Sequence, residues 1–146
     1  MQRAVAALAL VVAFACYSSP SAPVIQITGT WGGEDAGLIA SDTSAHVHIG
    51  CTLGDTKSVI KPDAQGHFDV DGTFNVDAYP IDRGIIHAAQ FVGDVSGNDM
   101  TLTVTLTDTG RQLGPVKLTR GKEPKMGPCP ICRDRSFIAR WLRRDS

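Results

Sequence analysis

The chain is short of the features that announce the common enzyme classes. No G-x-S-x-G elbow presents a serine nucleophile, and the Ser, His and Asp residues stand in no other activating arrangement. The 15 glycines form no phosphate-cradling pattern, which excludes a P-loop or a dinucleotide fingerprint. D-V-D-G at 69–72 starts like a calcium loop, but the remaining ligands at loop spacing are missing. Sustained helical periodicity is missing from residues 24–121, so strands there have no helical crossovers and must run antiparallel. The apolar run at residues 4–15 is too short to cross a bilayer comfortably as a helix. Net charge is nearly absent too, at −1, but that figure hides an asymmetry. Residues 1–116 hold 5 Lys/Arg against 12 Asp/Glu, and residues 117–146 hold 9 against 3. The basic tail is expected to fold back onto the acidic body, with binding to an anionic membrane surface as the alternative, and no nucleic-acid partner is expected.

What is present is strand. Residues 100–107, M-T-L-T-V-T-L-T, set Met100, Leu102, Val104 and Leu106 against Thr101, Thr103, Thr105 and Thr107 without a break. Side chains alternate between the faces of a strand, so one face here is apolar and the other hydroxylated. Ala45, Val47, Ile49, Cys51 and Leu53 alternate with His46, His48, Gly50 and Thr52, which predicts one strand over 45–53. Phe68, Val70, Gly72 and Phe74 share a face opposite His67, Asp69, Asp71 and Thr73. Further strands are expected at 24–31, at 37–41 after a turn over 32–35, at 57–61, over 85–95 with a bulge near Ala88 and Ala89, and at 115–120. Pro80 limits residues 76–81 to an edge or bent strand. Ser96-Gly97-Asn98-Asp99 reads as a hairpin turn. Short, evenly spaced turns favour an all-β fold: an antiparallel up-and-down barrel of about eight strands over residues 24–121, closed so that no edge is left open.

The ends carry the compartment signal. Residues 1–15 read as a signal peptide with A-F-A at the cleavage site, residues 16–23 as a Ser/Pro-rich tether, and 122–146 as a Cys-containing basic tail or short helix. Ala13, Phe14, Ala15 and Cys16 also resemble a bacterial lipoprotein signal, which implies acylation of Cys16 and a membrane tether through it. Ordinary secretory cleavage would leave Cys16 incidental. Either way the domain is exported, to the periplasm, the outer surface or a membrane anchor. Export places Cys51, Cys129 and Cys132 where one pair is expected to close. Cys51 joined to Cys129 or Cys132 would pin the tail to the barrel. Cys129 joined to Cys132 would make C-P-I-C a thiol–disulfide oxidoreductase motif.

Gly29-Thr30-Trp31 in the first strand of such a barrel resembles the calycins, lipocalins and avidins among them. The resemblance implies that Trp31 closes one barrel end and that Arg120, at the end of the last strand, covers it. His46 and His48 share a face and could both ligate a metal, but outward alternation of polar residues explains them as well, and no metal or cofactor is implied. The expected function is that of an exported, non-enzymatic barrel binding a small apolar ligand or a protein. The alternatives are a thiol oxidoreductase and a structural envelope lipoprotein.

Overall fold

Alternation of the 100–107 kind recurs along the chain, and eight segments become strands: β1 (Gly29–Gly33), β2 (Ala36–Ala40), β3 (Ala45–Ile49), β4 (Thr52–Thr56), β5 (His67–Asn75), β6 (His87–Ser96), β7 (Asp99–Leu106) and β8 (Gln112–Arg120). The computed structural model describes residues 26–77 and 84–129. The expected leader, the tether with Cys16, the segment around Pro80 and the basic tail with Cys132 lie outside the described residues. Each strand pairs antiparallel with the next, and β8 returns to β1 through Trp31↔Arg120 and Gly32↔Thr119, so the sheet closes as an eight-stranded barrel.

The bore is a packed core. Met100, Leu102, Val104 and Leu106 of β7 are at most 2% exposed. They join Trp31, Leu38, Val47, Phe68, Phe74, Phe91 and Leu118 in one buried cluster. Eight strands leave a bore just wide enough for side chains to fill. Three strand glycines make room for the rings. Phe74 lies over Gly54, Phe68 over Gly93 and Phe91 over Gly72, so that a Cβ at any of these positions would collide with the ring. Ile60, 1% exposed, covers the end at which β1 begins, and its carbonyl accepts the Ile27 N–H at 3.0 Å.

Local turn chemistry moves several expected boundaries. Residues 45–53 do not form one strand. Gly50 takes φ +56°, Thr52 Oγ1 donates to the Ile49 carbonyl at 2.6 Å, and the chain reverses in a two-residue hairpin. Cys51 therefore sits in the turn and not on an apolar strand face, and residues 57–61 form a loop carrying Ile60 inward. The first turn is confined to Glu34 and Asp35, while Gly32 and Gly33 stay in β1. No bulge occurs at Ala88 and Ala89, where β6 pairs continuously with β5. The irregularity lies between β7 and β8 at Leu102/Val104, beside Gly114 and Pro115, where proline brings no N–H to the ladder.

After β8 the chain crosses the barrel wall as a strap. Residues 122–124 pass over Gly32, and the Pro124 ring fills the place a side chain at Gly37 would take. Lys125 exchanges backbone bonds with Gly33 and Asp35, at 3.0 and 2.9 Å, and Asp35 Oδ1 accepts the Gly127 N–H at 2.9 Å. Cys129 then forms a disulfide with Cys51, with Cα atoms 5.5 Å apart at a sequence separation of 78.

Leu102→Asp places an unpaired carboxylate in the bore and is expected to cost at least about 4 kcal/mol, whereas Thr103→Ala shifts stability by less than about 1 kcal/mol. Denaturant unfolding of the two variants checks this, and equal costs would mean that the strand faces are wrongly assigned. The double variant Cys51→Ser, Cys129→Ser is expected to lose about 4–5 kcal/mol of loop-closure stabilisation for a separation of 78 residues. A denaturation midpoint unchanged by the double substitution would remove that role from the disulfide.

Candidate functional site

With the bore filled, the side chains free to act are those on the outer wall. The short alternation of β3 buries Val47 and turns His46 and His48 outward. The hairpin sets Asp55 of β4 directly opposite His46. His46 Nδ1 lies 2.7 Å from Asp55 Oδ1, and His46 Nε2 lies 3.0 Å from His48 Nε2. The two rings stand 4.8 Å apart at 75°. An ionised carboxylate only accepts, so Nδ1 of His46 carries the proton and its Nε2 presents a lone pair toward His48. Asp55, His46 and His48 thus form a hydrogen-bonded chain across two strands. Partial burial pushes the His48 pKa below the usual histidine value, and the neighbouring His46 lowers it further, against an opposing pull from Asp55.

The row extends sideways. Register places Ile39, His46, Asp55, Thr73 and Ala88 abreast on β2 to β6. Asp55 and Thr73 also line an open pocket of about 140 Å³ together with Leu53, Gly54, Phe74, Asn75, Gly84 and Ile86. Ile39 and Ile86 are 59% and 66% exposed, and Ile85 is 47% exposed, which is unusual for isoleucine.

Two other histidines repeat half of the arrangement. His67 Nδ1 bonds Asp94 at 3.0 Å and His87 Nδ1 bonds Asp108 at 2.7 Å, each without a second imidazole. The hydrogen bond from His87 holds the exposed Asp108 carboxyl below its ordinary value. The polar row of β5 does not join the His46–His48 pair, since β4 lies between them. Asp69 accepts instead from Gln90 at 3.0 Å. Among the described residues no group of three or more His, Cys, Asp and Glu side chains is gathered as a metal site.

Of the residues singled out in the sequence, Trp31 is 1% exposed and Arg120 Cζ stands 5.9 Å from its ring centroid. Cys51 and Cys129 are bonded to each other, while Cys16 and Cys132 lie outside the described residues. Sequence pattern alone does not single out Asp55, because its partnership with His46 depends on the hairpin at Gly50 and Cys51. A glycine followed by one residue between two apolar-polar alternations was the available signal. Compared with protein families, with curated proteins and with solved structures, the chain matches none.

A histidine whose folded pKa is depressed binds fewer protons than in the unfolded chain. His48 therefore contributes stability above pH 6.5 that is lost as pH falls from 6.5 through its lowered folded value. Asp108 adds a loss at lower pH, beginning near 3.8. Stability measured across pH 7 to 5 is expected to decline in the unsubstituted protein and to flatten in His48→Gln. An unchanged slope in that variant would exclude His48 as the source.

Proposed function

We propose that the protein is an exported, non-enzymatic calycin-like barrel that binds a protein partner on its outer wall and carries no ligand in its bore. The observation that carries this reading is the seating of Phe68, Phe74 and Phe91 over inward-facing glycines. The space in which a lipocalin-type ligand would lie is taken by the protein's own rings. The wall, by contrast, presents Ile39 beside His46 and Ile86 beside Asp55, next to a polar centre made by His46, His48 and Asp55. Apolar anchors near a few oriented polar groups are what a protein interface uses.

Two observations support the rest of the reading. Arg120 standing over the buried Trp31 beside Gly29 supports the calycin-like assignment. The Cys51–Cys129 disulfide suits an oxidising compartment and supports export of the chain whose first 15 residues read as a leader. With Cys129 bonded to Cys51, its sulfur holds a strap in place, which favours a structural role for the cysteine over a redox one.

Native mass spectrometry of the protein from its host, combined with crosslinking, tests the proposal. The isolated protein is expected at its bare polypeptide mass, with any lipid confined to Cys16. Crosslinking is expected to yield one protein adduct that the Ile39→Glu, Ile86→Glu variant loses. A retained apolar small molecule, or an adduct insensitive to the substitutions, would overturn it.

A further inference from the structure

We propose that His46 and His48 form a two-imidazole site for a divalent first-row transition metal ion, with Asp55 as the carboxylate that orients His46. This is a distinct property from the partner-binding reading and stands on its own geometry. The Nε2 atoms converge to 3.0 Å. Two imidazoles bound to one ion at about 2.0–2.1 Å, in square or tetrahedral arrangement, hold their nitrogens about 2.8–3.4 Å apart. The backbone supplies this convergence without a special loop, because residues two apart on a strand share a face. No main-chain rearrangement is needed to bring both donors to one ion.

The second element is Asp55. Metal-bound histidines characteristically donate their other ring N–H to a carboxylate, which fixes the tautomer and raises ligand basicity. His46 Nδ1 has this partner at 2.7 Å, and its free electron pair is thereby committed to Nε2, on the side of His48. Without metal, the His48 Nε2 proton fills the gap between the rings. On binding, the ion replaces that proton at Nε2, and His48 takes up the tautomer protonated at Nδ1, so both ligands enter neutral. The His46 and Asp55 side chains are 41% and 58% exposed. Solvent therefore reaches the site, and water fills the remaining coordination positions. Imidazole donors suit Cu(II), Ni(II) and Zn(II) and disfavour Ca(II) and Mg(II).

The wall carries its own controls. His67 and His87 have the same Nδ1–carboxylate bond but no second imidazole. Ni(II) is the probe, because it does not oxidise thiols and its paramagnetism broadens nearby ring signals. Titration of the full chain is expected to broaden the His46 and His48 ring resonances before those of His67 and His87. Calorimetry is expected to show one Ni(II) binding step that His46→Gln and His48→Gln abolish, that Asp55→Asn weakens about 10–100-fold, and that His67→Gln leaves intact. Earlier broadening at His67 or His87 would overturn the site, and so would undiminished binding in His46→Gln or His48→Gln. Binding unaffected by Asp55→Asn would remove the orienting role. The broadening order is read on the unsubstituted protein and holds even if a variant fails to fold.

Discussion

Everything in this molecule depends on fitting rings into a narrow closed bore. An eight-stranded barrel has little interior volume, and four aromatic side chains, Trp31, Phe68, Phe74 and Phe91, are committed to it. Glycine at 54, 72 and 93 resolves the crowding by letting a ring occupy the space a Cβ would take. Glycine weakens an isolated strand, but here its missing Cβ is filled by the ring, and the local cost is offset by aromatic burial. The same residues that loosen three strands are what allow the sheet to close around its core.

Closure decides where chemistry can happen. Once the inner faces are spent on packing, polar side chains gather on the outer wall, and cross-strand register decides which of them meet. His46 meets Asp55, His67 meets Asp94, and Gln90 meets Asp69. Most such pairs stop at two members. The His46 pair gains a third because His48 stands two residues along the same strand, and because the hairpin at Gly50 brings Asp55 back alongside. The polar chain is a consequence of turn placement.

Much of this was readable before any coordinates. The alternation in residues 100–107 predicts which of those side chains are buried, and the evenly spaced turns predict a closed antiparallel barrel of about eight strands. Boundaries were less legible where glycine was ambiguous between strand and turn. Gly50 sits in perfect period-two alternation, yet takes a left-handed conformation and ends the strand. Gly32 and Gly33 look like a turn and remain in β1 because the strap covers one and β8 crowds the other. Gly50 is decided within its own hairpin, whereas Gly32 and Gly33 are decided by segments distant in sequence, which no local pattern records. The metal-like convergence of His46 and His48 was visible as spacing, but its orienting carboxylate was not.

The strap also gives the barrel a polarity that its topology lacks. With an even number of up-and-down strands, the chain enters and leaves at the same pole: Ile27 before β1 and Gly121 after β8 both lie at that end. The strap runs parallel to β1, and Cys129 is bonded at the turn between β3 and β4, which belongs to the opposite pole. The described chain therefore starts at one pole and ends at the other. Whatever holds the leading side of the domain and whatever meets its trailing side are kept apart by the height of the barrel. The disulfide shares that task with the backbone bonds of Lys125 and the Gly127–Asp35 bond, so the trailing side is fixed at several points along the wall.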